Sequence, residues 1–172
     1  MHRPLEILME EHRAIEAALD ELAMVCARAR ASGAVDGVAF RHSLEFFRRY
    51  ADDLHHGQED ALLFPLLELR GMSMSSGPLQ VMRYEHEEGR GRLRLMERHL
   101  PHAVAGQASA IREVLAQAEA YIFLLRQHIA KEDECLFPMA DRLLTDEDAR
   151  VLQEAFKQLA RQKGLAPEAG VC

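Results

Sequence analysis

The chain of 172 residues has no tryptophan, six prolines and three cysteines, and these shortages exclude several classes of protein. Cys26, Cys135 and Cys172 form an odd set without a C-x2-C pair. This pattern argues against a disulfide framework and against thiolate sites for zinc or iron–sulfur clusters. Free thiols suit a reducing compartment, so we expect a cytoplasmic location. No apolar run approaches the roughly 20 residues that span a bilayer, and we expect no membrane partner.

Positive charge is also scarce, because the formal net charge is -7. The densest basic run is RGRLRLMER at residues 90–98, where apolar and acidic residues interrupt the basic ones. Such a run is typical of a solvated helix face, so we expect no nucleic-acid partner. The first residues, MHRPLEILMEEHR, carry acidic side chains where a secretory signal needs an apolar run, and no such signal is expected.

Apolar residues recur at steps of three and four, and no segment of useful length alternates with period two. The pattern predicts long helices at about 4–30, 38–69 and 78–99, and a fourth that follows Gly106 and reaches Pro138. We therefore predict an all-α fold with one domain over residues 1–172. It consists of an up-down-up-down four-helix bundle (about 3–144), a short fifth C-terminal helix (about 146–163) and a tail (164–172). Thr145 to Asp148 resembles the capping box that would start the fifth helix.

The helical stripes also predict which side chains face the bundle interior. In the second helix the inward set includes Leu62, and in the fourth helix it includes Cys135. Pro65 lies inside the second helix and should kink it or end its regular hydrogen bonding, because proline lacks an N–H and clashes with the preceding turn.

One eleven-residue pattern occurs twice, 73 positions apart: HHGQEDALLFP begins at His55, and HIAKEDECLFP begins at His128. Both segments read H-x3-E-D-x2-L-F-P. A histidine and a glutamate four residues apart lie on the same side of a helix, one turn from each other. His12 precedes His55 by 43 residues, and His86 precedes His128 by 42, each on an inward stripe. The chain therefore reads as two similar helical hairpins, which predicts a symmetric site between them.

Histidine and glutamate side chains on inward stripes are expensive to bury without partners, because ionised carboxylates in an apolar core lose their hydration. A pair of metal ions would remove that cost. Imidazole and carboxylate ligands suit iron, manganese or zinc. The candidate ligands are His12, His55, Glu59, His86, His128 and Glu132.

These motifs resemble the hemerythrin-like (HHE cation-binding) domain family over roughly residues 3–145. The resemblance implies a four-helix bundle that holds two iron ions in a non-haem centre of the Fe–O–Fe type, with manganese or zinc as substitutes. It also implies that His12 and His55 bind one metal and that His86 and His128 bind the other. Glu59 and Glu132 would then bridge the two metals, as that resemblance implies.

The chain departs from the oxygen-carrying members in two ways. Those proteins have a fifth histidine one turn after the third-helix ligand, where this chain has Arg90, and their last ligand pair is H-x4-D instead of H-x3-E. The ligand set is closer to that of the iron–sulfur cluster repair di-iron proteins. Three functions stay open. The first is binding or sensing dioxygen, nitric oxide or peroxide, or storing iron. The second is an enzyme of oxidative or nitrosative stress defence, by turnover of peroxide or nitric oxide or by iron–sulfur cluster repair, and the third is a protein-interaction module. The redox partner and a homodimer also stay open.

Several other residues are candidates for indirect roles. We expect His56 to face an outer position or solvent, one residue round the helix from His55. Asp60 and Asp133 are expected to be exposed or to orient ligands, and Glu16 is a candidate hydrogen-bond acceptor near the site. Tyr50 and Tyr121 are core residues or reach the ligands' surroundings, Gly89 permits close packing or ligand approach, and Cys135 is a candidate redox thiol beside the metals.

Overall fold

In the computed structural model, residues 1–165 are described, and they contain helices and no strand. Three segments have π-helical hydrogen bonding, in which each N–H bonds to the carbonyl five residues earlier. In chain order the elements are α1 (Arg3–Ser32), α2 (Gly37–Phe46), π1 (Phe47–His56), π2 (Glu59–Leu63), α3 (Phe64–Leu69), α4 (Pro78–Val104), α5 (Ala108–Lys131), π3 (Glu132–Leu136), α6 (Phe137–Leu143) and α7 (Asp146–Gln162).

The helix ends follow from local sequence. Gly33 has a left-handed φ of 71° and closes α1, a conformation that glycine adopts at low cost. The Asp36 side chain accepts hydrogen bonds from the first N–H groups of α2. The predicted capping box is confirmed, because the Thr145 hydroxyl and the Asp148 carboxylate each bind the other residue's backbone N–H.

Four long helical runs form the predicted bundle. α1 packs against α2 and α5, and α4 packs against the same two helices, so the four runs enclose one interior. Residues 37–69 are one continuous helical run, and residues 108–143 are another. α7 packs against α1 and π2 as the additional C-terminal helix. The fold class is confirmed, while the predicted tail lies outside the described residues except for its first two.

In both Leu-Phe-Pro segments the leucine is the last residue of a π turn that begins at a glutamate of the repeated motif. The Phe64 N–H bonds to the Glu59 carbonyl, and the Phe137 N–H bonds to the Glu132 carbonyl. The regular α-helical bonding is thus interrupted just before each proline, as predicted for Pro65, and the helix continues beyond it.

The π turns change which side chains face inward. The extra residue in each turn leaves Leu63 and Leu136 fully or almost fully buried. The predicted inward positions were therefore wrong by one: Leu62 is half-buried and Cys135 is exposed. The error arose because the stripe was counted at the α-helical period of 3.6 residues, which a π turn does not keep.

Two apolar clusters fill the two ends of the bundle interior. One cluster includes Ile15 of α1 and Leu93 of α4, and the other includes Leu8 of α1 and Met82 of α4. His12 lies between Leu8 and Ile15 along α1. The polar residues of the repeated motifs thus form a layer between the two apolar clusters, and these clusters shield the layer from water.

Candidate metal centre

The six predicted ligands converge in this polar layer, and each is at most 1% exposed. They come from all four bundle helices: α1, the 37–69 run, α4 and the 108–143 run. The set is His12, His55, Glu59, His86, His128 and Glu132. The structure therefore brings together every residue that the repeated pattern singled out.

The two glutamates lie between the histidines. Glu132 Oε2 is 3.2 Å from His12 Nε2 and 3.2 Å from His128 Nε2. Glu59 directs Oε1 towards His55 Nε2 at 3.6 Å and Oε2 towards His86 Nε2 at 3.4 Å. Each carboxylate therefore faces one histidine of each predicted metal position, which is the placement that a bridging ligand needs.

Each of the four histidines is held from behind by a carboxylate. His12 Nδ1 lies 2.6 Å from Asp133, and His55 Nδ1 lies 2.9 Å from Glu11. The second hairpin repeats the arrangement, with Nδ1 contacts of 3.0 Å from His86 to Asp60 and from His128 to Glu85. Such a carboxylate accepts a hydrogen bond from Nδ1–H and leaves the Nε2 lone pair free, which is the tautomer that a metal ligand requires.

This outer ring of carboxylates follows the internal repeat. Asp60 and Asp133 come directly after the glutamates of the repeated motif, and of the two roles considered for them the orienting one fits the structure. Glu11 and Glu85 directly precede His12 and His86, and the sequence analysis missed them. The signal was present as a Glu-His dipeptide in each hairpin. Which histidine each glutamate contacts depends on helix packing, because Glu11 and Glu85 hold histidines of other helices.

The outer carboxylates are themselves bound at the surface. Arg13 pairs with Asp133, and Lys131 pairs with Glu85. Gln58 donates to Glu11 at 3.3 Å. The Arg90 guanidinium bonds to Asp60 at 3.0 Å and to Asp52 at 2.6 Å. Arg90, which stands where the fifth histidine of the oxygen carriers would be, thus supports the carboxylate behind His86 and is not itself a metal ligand.

The phenylalanines of the two Leu-Phe-Pro segments cover the site. Phe137 stacks on His12 with ring centroids 5.5 Å apart, and Phe64 stacks on His86 at 5.9 Å. Both phenylalanines are fully buried. They restrict the orientation of the imidazoles and exclude water from them.

Protonation within this layer is strongly perturbed. Burial lowers the pKa of His55 to about 4 despite its bond to Glu11. Burial also opposes charge on His128, but Glu132 and Glu85 raise its pKa to about 9. Burial and the neighbouring Glu132 raise the pKa of Glu59, whereas His128 and His12 lower the pKa of Glu132 against the effect of its own burial. The histidines therefore provide too little positive charge to neutralise both buried carboxylates.

Many of the inner polar atoms have no hydrogen-bond partner in the protein, and metal ions would serve as their partners. His12 Nε2, His55 Nε2 and both oxygens of Glu59 and of Glu132 are buried without a hydrogen-bond partner. Buried polar groups are rarely left unpaired, because each costs roughly 1–3 kcal/mol. One ligand atom from each of His12, His55, Glu59 and Glu132 lies within 4.8 Å of the others. Cations between these atoms would pair the lone pairs and the carboxylate charges together.

His56 is placed differently from the prediction. Its side chain is buried, 4% exposed, and belongs to a second group of ligand atoms within 4.8 Å of one another, with Glu59, His86 and His128. The solvent-facing alternative was wrong, because π1 ends at His56 and its wider turns bring both His55 and His56 to the inner side.

The remaining candidates have ordinary structural roles. Glu16 forms a surface ion pair with Arg13 at 2.8 Å, so Glu11 and not Glu16 accepts a hydrogen bond from a histidine ligand. Cys135 is exposed and its sulfur lies 3.8 Å from the Met139 sulfur, which removes it from the inner face.

The two tyrosines are packing residues. Tyr121 is buried against Phe47, with ring centroids 5.0 Å apart, and its ring packs beside Gly89, where an added β-carbon would lie at an ordinary contact distance of 3.5 Å. Tyr50 is half-buried and stacks on Phe46. Of the alternatives considered for these residues, the core role and close packing are the ones that the contacts show.

Comparison with known proteins agrees with this site. The family described as "Hemerythrin HHE cation binding domain" matches residues 3–140, and the chain belongs to that family. The chain is also 30% identical over 155 residues to three proteins named as uncharacterized: Rv1995 and MT2051 of Mycobacterium tuberculosis and Mb2018 of Mycobacterium bovis. Each match covers 88% of this chain but 59% of the relative, so the chain spans about three-fifths of their length.

The family and the two groups of ligand atoms together define a metal-binding protein. None of the helices in residues 1–165 combines the length and the apolar character that crossing a bilayer requires.

Proposed function

We propose that this protein holds two iron ions between Glu59 and Glu132 and uses them to bind or sense a small ligand such as dioxygen, nitric oxide or peroxide. The supporting observation is the set of buried, unpartnered nitrogen and oxygen atoms that point into one space. The donor set of imidazoles and carboxylates suits iron or manganese, with zinc as a further substitute. Iron is the metal that the family resemblance favours.

Charge around the layer supports a pair of cations. Six carboxylates surround the four histidines: the two inner glutamates and the four outer groups on Glu11, Asp60, Glu85 and Asp133. The positive side chains bound to these outer groups are those of Arg13, Arg90 and Lys131. The excess of negative charge is costly at a buried site and would be offset by two metal ions.

The protein groups have separable tasks in this proposal. The outer carboxylates keep each Nδ1 protonated and each Nε2 directed inward. Glu59 and Glu132 hold the two positions at a short separation, while Phe64, Phe137 and the two apolar clusters exclude water. Iron bound there supplies redox capacity and open coordination positions for a small ligand. We favour binding or sensing over iron storage, because the ligand atoms form two groups and so provide for only a pair of ions.

Metal analysis tests the first part of the proposal. Protein produced with ample iron should carry two metal ions per chain. Glu59→Gln should reduce occupancy of both positions, because its two oxygens face a histidine of each. Glu68→Gln, which changes an exposed glutamate of the same helical run, is the matched control. Full metal content in the Glu59→Gln protein would contradict the bridging assignment.

Stopped-flow absorbance then separates ligand binding from turnover. For a binding or sensing protein, the reduced protein mixed with dioxygen or peroxide should form a coloured species that persists and decays on removal of the ligand. Catalytic loss of hydrogen peroxide with release of dioxygen would instead establish the enzymatic alternative in stress defence. The same mixing experiment with nitric oxide distinguishes a nitric oxide sensor from a reductase that consumes it.

A further inference from the structure

His56 is a buried imidazole without a hydrogen-bond partner at either nitrogen. Its ring stacks on that of His86, with centroids 4.0 Å apart and planes at 18°, and meets His128 edge-on at 5.5 Å. The nearest carboxylate oxygen, on Asp52, is 3.6 Å from Nδ1, beyond hydrogen-bond length. A buried polar side chain in this position needs another partner.

The second hairpin has no equivalent of this residue. The position that follows His128 is Ile129, which is 2% exposed and belongs to an apolar cluster. α5 remains α-helical up to Lys131, whereas the first hairpin has the ten-residue segment π1 ending at His56. π-Helical turns are rare and often lie at functional sites. Here the π turns bring a second imidazole into the layer from one hairpin only.

We propose that His56 is a metal ligand, which makes the two metal positions unequal. One position has three imidazoles, from His56, His86 and His128, together with the two bridging residues Glu59 and Glu132. The other has two imidazoles, from His12 and His55, together with Glu59 and Glu132. The inference rests on the proposed metal pair, and its structural basis is the group of ligand atoms within 4.8 Å that contains His56.

The surroundings of His56 indicate which nitrogen binds. Nδ1 lies on the side of the Asp52 carboxylate, which Arg90 holds at 2.6 Å, and a metal bound at Nε2 would leave the Nδ1 proton directed towards that carboxylate. His56 thus differs from the other four histidines, whose Nδ1 atoms each lie within hydrogen-bond distance of a carboxylate. The oxygen carriers have their fifth histidine on the third bundle helix, where this chain has Arg90. In this chain the fifth imidazole lies on the second bundle helix.

The inequality has a functional consequence. The position with three imidazoles is richer in nitrogen donors and should retain its metal more firmly. The position of His12 and His55 has fewer protein nitrogens and should accept the small ligand. Nitrogen-rich and oxygen-rich donor sets also differ in the metals that they prefer. Metal binding should therefore occur in two distinguishable steps.

The test uses Co²⁺ as the probe, with chelator competition to obtain both dissociation constants. Wild-type protein should bind two Co²⁺ ions. His56→Ile gives position 56 the residue that the second hairpin has at Ile129, and it should weaken one step by more than about 100-fold, since loss of even an outer partner of a ligand costs roughly 10–100-fold. His56→Glu should recover much of that loss. His42→Ile changes an exposed histidine of α2 and should match the wild type.

The outcomes separate the inference from the proposed function. Two unchanged dissociation constants in His56→Ile would overturn the role of His56 and leave the metal pair intact, whereas a wild type that binds no Co²⁺ would overturn both. If the His56→Ile variant does not fold, an NMR measurement on the wild-type protein tests the role of His56. Its Co²⁺-loaded form should show five paramagnetically shifted, exchangeable imidazole N–H signals in the NMR spectrum, and four signals would overturn the inference.

Discussion

Replacement of Asp133 by asparagine should weaken one metal position and spare the other. Asp133 accepts a 2.6 Å bond from His12 Nδ1 and also pairs with Arg13. An asparagine keeps the shape but removes the negative charge. If the asparagine oxygen accepts the bond from His12, the asparagine NH2 group faces the Arg13 guanidinium, and two hydrogen-bond donors then face each other. One of the two contacts must be lost.

The expected size follows from the role of such partners in metal sites. Removal of a carboxylate behind a histidine ligand lowers metal affinity about 10–100-fold. That change corresponds to about 1.4–2.8 kcal/mol of binding free energy. The loss should fall on the position that contains His12 and His55, because Asp133 has no contact with His86.

Chelator competition on three variants measures this effect. Asp60→Asn is the counterpart in the other hairpin, where Asp60 contacts His86 at 3.0 Å, and it should weaken the other binding step. Glu134→Gln changes the exposed residue that follows Asp133 and should leave both steps unchanged. If Asp133→Asn and Asp60→Asn weaken the same step, or neither affects any step, the assignment of outer carboxylates to separate metals is wrong.

Three further results are expected. Removal of the metal by a chelator should lower Tm by roughly 8–16 °C in a thermal melt. Metal at a concentration of about 1,000 times Kd adds about 4 kcal/mol to the stability, and each kcal/mol shifts the Tm of a domain of this size by about 2–4 °C. An unchanged Tm would argue against coupling between metal binding and folding. In urea unfolding, Phe137→Ala should cost about 3–5 kcal/mol and Phe123→Ala, at an exposed position, less than about 0.5 kcal/mol. Asp148→Ala should destabilise α7 by roughly 1 kcal/mol at neutral pH. Because its bond to Arg70 lowers the pKa of Asp148 below the ordinary 3.8, the stabilisation should be present above that value and disappear as the pH falls below it, and a pH-independent difference would refute this origin.

Much of the fold was readable from local patterns. The steps of three and four located the helices within a few residues, for example 4–30 against the observed Arg3–Ser32. The Thr145 capping box was also visible, because it involves residues only three positions apart. The errors at Leu62 and Cys135 share one cause, which is the π turn that precedes each Phe-Pro. A period counted along the sequence assumes α-helical geometry and misses a residue added within the helix.

The candidate site was predicted unevenly. The repeated H-x3-E pattern identified four of the six converging residues, since a histidine and a glutamate four positions apart share a helix face wherever that helix lies. His12 and His86 were identified from their inward stripes and from their matching distances to the two pairs. Glu11 and Glu85 were missed because their partners, His55 and His128, lie on other helices. His56 was misplaced because only π1 turns it inward. The distinction between the two metal positions therefore could not be made from spacing.

The amino-acid sequence alone determined the helical bundle, its two-hairpin repeat and the kinds of atoms available to a metal. These depend on residues within one or two turns of each other, where periodicity and chemistry suffice. Tertiary structure decided which carboxylate stands behind each imidazole and that a fifth histidine enters the interior. Those choices depend on how four helices pack and on where one of them widens, because that packing sets distances between residues far apart in the chain.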